Sequence, residues 1–206
     1  SVNKTPVICR KDVPGFIVNR LFIPLVHEAC YVMERQKIQQ VEIDSAVKFN
    51  LGFPMGIFEL ADYTGMDVIH KATIEMHLRD KKVILPHPKI EQLFNEKKLG
   101  QKSGEGFYKY SNDKYERISL SEELGKKCDP TQIIANILNN AAWLVTNKAS
   151  DVNEIEKAAN LGLNLKKPLF ETANEIGMQK IVNELKKLSE QYGAFYEPDP
   201  LLLSMC

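Results

Sequence analysis

Apolar residues in the first part of this chain recur with helical spacing. Phe16, Val18 and Leu21, then Leu25, Val26, Ala29, Cys30, Val32 and Met33, form one stripe across residues 14–35. A period near 3.6 is what a helix with one buried face requires. Pro24 lies inside the stripe and predicts a bend, because it lacks an amide proton and crowds the preceding turn. A short helix is predicted over 41–49. Gly52, Pro54 and Gly56 then break the pattern. Helices resume over 57–63 and 67–79, and Pro86-His87-Pro88 opens another in which Ile90, Leu93 and Phe94 share a face.

The pattern then copies itself at one constant offset, without a gap. Ala29, Ile43, Phe58, Glu59, Gly65, Met66 and Pro88 recur as Ala141, Ile155, Phe170, Glu171, Gly177, Met178 and Pro200. Conservative pairs such as Tyr31/Trp143, Asp44/Glu156 and Asp62/Asn174 keep the same register. Solenoid units run about 20 to 50 residues, so this much longer period describes two copies of one small domain. Helices are predicted over 130–148, 153–159, 168–175 and 179–191. The fold class is all-α, with a first domain over 1–115 and a second over 116–206. Residues 111–127 are polar and read as linker or surface.

Strand signal is almost confined to Pro6-Val7-Ile8-Cys9, too short to form a sheet alone. It suggests a neighbouring domain beyond this chain. The second copy stops at Cys206, opposite Phe94 of the first and in what should be mid-helix. Both ends therefore look cut, and the chain reads as an excised piece of a longer polypeptide.

Composition narrows the function classes. The 206 residues are 44% hydrophobic, enough for a core in each half, and the formal charge is zero. Nothing points to nucleic acid or an anionic membrane. No apolar run approaches the roughly 18 to 20 residues that span a bilayer, and no signal peptide is evident. Cys9, Cys30, Cys128 and Cys206 are scattered, without C-x-x-C spacing. They read as reduced thiols of a cytoplasmic protein, neither a disulfide frame nor a metal site.

Four stretches carry a resemblance. They are Lys4-Thr5-Pro6-Val7 with Asp12-Val13-Pro14-Gly15-Phe16-Ile17-Val18-Asn19-Arg20-Leu21; Glu42-Ile43-Asp44; the run from Gly52-Phe53-Pro54-Met55-Gly56 to Asp67; and Gly104-Glu105-Gly106-Phe107-Tyr108. In this order, from Lys4 to Tyr108, they resemble the C-terminal domain of 3-hydroxyacyl-CoA dehydrogenases. The resemblance implies the helical, 6-phosphogluconate dehydrogenase C-terminal-like fold, present here as tandem copies related by a pseudo-twofold. Residues 1–12 would then be the remnant of the NAD domain's last strand. Tandem helical domains also occur in multifunctional members fused to an enoyl-CoA hydratase-like domain.

In that family the catalytic base is a histidine paired with a glutamate, and NAD lies on a Rossmann turn, all within the NAD domain. Neither that turn nor its Gly-x-Gly-x-x-Gly pattern occurs in this sequence. The resemblance therefore implies a substrate-side and scaffold portion that is inactive alone, with NAD bound only in the full enzyme. The alternative is a helical assembly module with no role in turnover. Gly104-Glu105-Gly106 alone reads as a turn.

One catalytic candidate carries over. The family places the asparagine of its Pro-Gly-Phe-x-x-Asn-Arg segment, here Asn19, beside the reacting oxygen. An amide can donate to developing negative charge and accept in return, without a charge to neutralise. Thr131 stands at the matching place in the second copy, so that copy has lost the group. Pro54, Met55 and Phe58 are substrate-binding candidates, since a thioether and an aromatic ring suit an acyl tail; a plug over the domain's own core is the competing reading. Arg20 reads equally as an anchor or a structural ion pair. Glu59 recurs as Glu171 in the copy without the asparagine and reads as helix capping. His27, His70, His77 and His87 show no liganding pattern and face Asn139, Val182, Ser189 and Asp199 in the second copy.

Overall fold

A computed structural model describes residues 5–111, 114–165 and 167–206 of the chain. Lys4, at the start of the first motif, and Lys166, in the second copy's loop, lie outside the described residues. Eleven α-helices occur among the described residues: α1 (Val18–Gln36), α2 (Gln40–Asn50), α3 (Ile57–Thr64), α4 (Met66–Arg79), α5 (Pro88–Asn95), α6 (Glu122–Gly125), α7 (Thr131–Thr146), α8 (Val152–Leu163), α9 (Leu169–Ile176), α10 (Met178–Tyr192) and α11 (Pro200–Ser204). Beside them lies a hairpin of two-residue strands, β1 (Tyr110–Ser111) and β2 (Lys114–Tyr115).

The constant offset carries α2 onto α8, α3 onto α9, α4 onto α10 and α5 onto α11. The junctions repeat with the helices. Gly65 ends α3 at φ 99°, and Gly177 ends α9 at φ 101°. An L side chain rarely enters that region, so both copies keep glycine. Asp44 accepts from the amides of Phe58 (2.9 Å) and Glu59 (3.2 Å), capping α3. Glu156 accepts from Leu169 (2.8 Å) and Phe170 (3.0 Å), capping α9 one residue earlier with a side chain one methylene longer.

The copies share a continuous core. Among the described residues α1 packs more extensively on α7 than on any other helix. Both α1 and α7 are buried on nearly every side: α1 through Leu21, Leu25, Val26 and Ala29, α7 through Ile133, Ile137, Leu138 and Ala141. Helix α1 runs unbroken across Pro24, which itself donates no hydrogen bond to the preceding turn. At the interface the fully buried Glu28 meets Arg35 (2.8 Å) and the Tyr196 hydroxyl of the second copy (2.6 Å). Burial raises the Glu28 pKa, and these donors act against that shift.

Two expectations need correction. The 111–127 stretch is more than linker: Gly125 packs on the backbone of Ala46 in α2, and the Arg117 guanidinium is ion-paired with Glu59 between Tyr108 and Tyr115. These are long-range polar and backbone contacts, which leave no apolar period to read. The 6–9 stretch pairs with no strand among the described residues. Its backbone groups go to the second copy instead: Ile8 N–H to Glu154 Oε2 (2.7 Å) and Ile8 C=O from Ser150 Oγ (2.7 Å). Arg10 N–H donates to the Ala149 carbonyl (2.7 Å). Backbone donors and acceptors need partners, and a neighbouring turn serves as well as a ladder.

Candidate functional site

The chain turns sharply before α1. Gly15 takes φ 80° and Phe16 φ 49°, a conformation uncommon for a bulky residue. The Phe16 amide donates to the Val13 carbonyl (3.0 Å), and the Arg20 amide reaches back to Gly15 (3.2 Å). A methyl on Gly15 would stand 2.9 Å from both the Arg20 nitrogen and the Met76 sulfur, so the turn is closed from below. It leaves Phe16 55% exposed and Asn19, on the first turn of α1, exposed beside it.

Asn19 lines a cleft of about 340 Å³ with Val7, Cys9, Phe16, Ile17 and Ala158. The wall is apolar and the amide is polar, the combination that orients a mostly hydrocarbon ligand. Ala158 comes from α8, so the second copy supplies part of this cleft. That contribution is invisible to the repeat, which aligns the copies but does not say which faces meet.

Thr131, matching Asn19, is buried. Its amide (3.0 Å) and hydroxyl (2.5 Å) both donate to Asp129 Oδ1. The second copy has turned this position inward.

Arg20 points away from the cleft. It is buried, bonded to Asp80 (3.1 Å), and its guanidinium lies 3.8 Å above the Trp143 ring. Burial lowers its pKa and Asp80 pulls it back up. This is the structural ion pair, with the added function of joining the copies.

The substrate-binding candidates are not gathered around Asn19's cleft. Pro54 and Met55 are half-buried in the loop before α3, and Phe58 is fully enclosed with its ring 4.4 Å from Phe107. Phe58 thus takes the core-packing role, because the α3 turn that Asp44 caps directs it inward.

Glu59 caps its own helix, accepting from the Gly56 amide (2.9 Å). Asp62 holds the Gly104-Glu105-Gly106-Phe107-Tyr108 segment: it accepts from the amides of Phe107 (2.8 Å) and Tyr108 (2.9 Å) and from the Tyr110 hydroxyl (2.8 Å). Burial pushes its carboxyl up to about 6 despite these donors. A methyl at Gly100 or Gly106 would overlap Asp62. The glycine turn is therefore closed over a carboxylate, an environment that repels phosphate, and does not fit a dinucleotide.

The histidines are structural or peripheral. His27 is buried, bonded to Thr73 Oγ1 (2.8 Å), and burial lowers its pKa to about 3. His70 stacks on Phe94 at 4.0 Å and bonds Glu91 (2.6 Å). Among the described residues no group of three or more His, Cys, Asp or Glu could hold a metal ion, and no helix is long and apolar enough to cross a membrane. Burial pushes the Cys128 thiol up to about 12.

With the geometry established, comparison decides the family. The 3-hydroxyacyl-CoA dehydrogenase C-terminal domain matches residues 15–110 and, separately, 131–206. The chain belongs to this family. It carries two copies of the 3-hydroxyacyl-CoA dehydrogenase C-terminal domain, the all-α fold expected from the repeat. Over 112 residues the chain is 46% identical to the mitochondrial hydroxyacyl-coenzyme A dehydrogenases of Rattus norvegicus and Homo sapiens, covering 53% of this chain and 35% of each relative. A 3-hydroxybutyryl-CoA dehydrogenase of Clostridioides difficile is 34% identical over 113 residues, 54% of this chain and 40% of that protein. The match spans only about a third of the length of the mitochondrial relatives.

Among solved structures, the 3-hydroxybutyryl-CoA dehydrogenase of Escherichia coli K12 superposes with a TM-score of 0.79 over 98% of this chain and 61% of that one. The dehydrogenase part of multifunctional enzyme 1 from C. elegans gives 0.56 over 86% and 46%. At 21% and 19% identity these establish the shared fold.

Proposed function

We propose that this chain is the substrate-side and scaffold portion of an NAD-dependent 3-hydroxyacyl-CoA dehydrogenase, with Asn19 at the reacting centre. One observation carries the reading: Asn19 stands exposed at an apolar cleft, whereas Thr131 at the equivalent place is buried on Asp129. An amide held on a helix turn can donate to the substrate's oxygen as charge develops there, and it needs no reorganisation to do so. Pro54 and Met55 contact the acyl chain, with Phe58 supporting their loop from the core.

NAD and the catalytic histidine–glutamate pair belong to a domain outside this chain, so the isolated chain does not turn over. The glycine turn closed on Asp62 supports that assignment. Domain limits at 1–115 and 116–206 follow the repeat, and a fused enoyl-CoA hydratase-like domain is a compatible neighbour. Four cysteines without a disulfide suit a reducing compartment, the cytoplasm in this reading; the rat and human relatives are named as mitochondrial.

The test is NADH formation from 3-hydroxybutyryl-CoA by the full-length enzyme, wild type against Asn19→Ala, both checked for folding. Turnover falls by about two to three decades if Asn19 stabilises the reacting oxygen. Unchanged turnover leaves the alternative, a helical assembly module.

A further inference from the structure

The second copy has lost the site asparagine, yet it touches the chain on both sides of Asn19. The segment that leads into α1 is held along its backbone by the α7–α8 turn. Glu154 accepts from the Ile8 amide, Ser150 donates to the Ile8 carbonyl, and the Ala149 carbonyl accepts from the Arg10 amide, each at 2.7 Å. The Arg10 guanidinium adds an ion pair to Asp151 at 2.8 Å. Asp151 and Glu154 are themselves fixed, because Asp151 Oδ1 caps α8 by accepting from the Glu154 amide (3.0 Å).

Beyond this segment, α8 meets the first turn of α1. Gly162 lies within α8, where glycine is disfavoured relative to alanine and so needs a packing reason. A methyl there would stand 2.8 and 2.9 Å from the two γ-carbons of Val18, the residue before Asn19. Ala158, one helical turn earlier, faces into the Asn19 cleft. Asn19 thus lies between Val18, packed on Gly162, and Arg20, stacked on Trp143, both contacts made by the second copy. The stretch leading to it is otherwise tied to its own domain by the Gly15 turn and by Arg79 on Asp12.

We infer that the degenerate copy is a positioning element: Ser150, Glu154 and the α8 surface at Gly162 form a clasp that fixes Asn19 against the substrate. The inference rests on the reading that Asn19 lies at the reacting centre. It assigns to the second half a contribution to turnover, where the repeat alone assigns only packing. Glu154 and Ser150 are positioning residues, since neither lies on the cleft.

Two measurements test it. In the 206-residue chain, hydrogen exchange is compared between wild type and Ser150→Ala/Glu154→Ala. The amides of residues 8–21 should exchange at least about tenfold faster, while α4 and α10 keep their protection. Unchanged exchange over 8–21 overturns the clasp, and so does a uniform rise across the chain. In the full-length enzyme the same pair should lower kcat about tenfold, since small misplacements of a catalytic group cost about one to two decades. Glu154→Gln, which keeps an acceptor for Ile8, should restore most of it. The pair should have no further effect in the Asn19→Ala background. An equal loss in both backgrounds defeats the clasp alone, whereas wild-type turnover in Asn19→Ala defeats the site reading and this inference with it.

Discussion

The backbone amide of His87 donates to Nδ1 of His27 at 3.1 Å, and at the matching place in the second copy the amide of Asp199 donates to Oδ1 of Asn139 at 2.8 Å. The correspondence extends outward. His87 Nδ1 accepts from the Lys89 amide (3.1 Å), as Asp199 Oδ1 accepts from that of Leu201 (2.9 Å). Glu34 lies 3.3 Å from His87, and Thr146 donates to Asp199 at 2.5 Å. The side chains have changed chemistry between the copies while one hydrogen-bond pattern persists. Both α5 and α11 start on a residue held by the long helix beneath it.

This exchange sets up a pH prediction. His27 has a folded pKa lowered to about 3 by burial, against about 6.5 when unfolded. The unfolded chain therefore binds the extra proton between those values, and wild type loses stability as pH falls below about 6.5. His27→Asn keeps an acceptor for His87, as Asn139 does for Asp199, and cannot titrate. It should be less stable than wild type at pH 7.5, with the gap closing by about 2 kcal/mol at pH 5. Urea unfolding at the two pH values checks it, and a constant gap contradicts it. Asp44 and Asp62 titrate in both proteins and cancel.

Gly56 and Asp44 should be energetically coupled. A methyl at Gly56 would overlap the Asp44 side chain, so Gly56→Ala should cost about 1 to 3 kcal/mol. Asp44→Ala alone loses the α3 cap and the Tyr108 hydroxyl's partner at 2.8 Å, a loss of about 1 to 2 kcal/mol. In the double variant the carboxyl part of the overlap has gone, leaving only the β-carbon of residue 44, 2.3 Å from the added methyl, and the combined cost should fall short of the sum by about 1 kcal/mol. Additivity in denaturant unfolding counts against the geometry.

Arg20 and Trp143 should show a favourable coupling across the copies. Their stacking is partly desolvated, and a cycle of Arg20→Ala and Trp143→Ala should return about 1 to 2 kcal/mol. Trp143 is the chain's single tryptophan. Its fluorescence in Arg20→Ala therefore reports the interface alone, and an unaltered spectrum with no coupling removes Arg20 from it.

The chain should be monomeric in solution. Helices α1 and α7 bury each other, so the apolar face of α1 is covered within one chain and is not offered to a second. Light scattering at micromolar concentration should give the mass of one chain, 23.4 kDa. A stable dimer bridged through α1 sinks the idea.

The sequence by itself determined the helices and their repetition. Residues 57–63 and 67–79 were legible because apolar spacing and the Gly65 break are local, and the constant register carried the same reading to the second copy. Asn19 became a candidate only through its motif, since an exposed asparagine has no period. Tertiary structure decided the rest. It set Phe58 into the core, closed the glycine turn on Asp62, and buried Arg117 against Glu59, because those last two pairings join residues far apart in the chain. It also gave the 6–9 stretch to the second copy instead of a sheet. A backbone group states only that it needs a partner; which partner it meets depends on how two copies pack, and periodicity within each copy does not encode that.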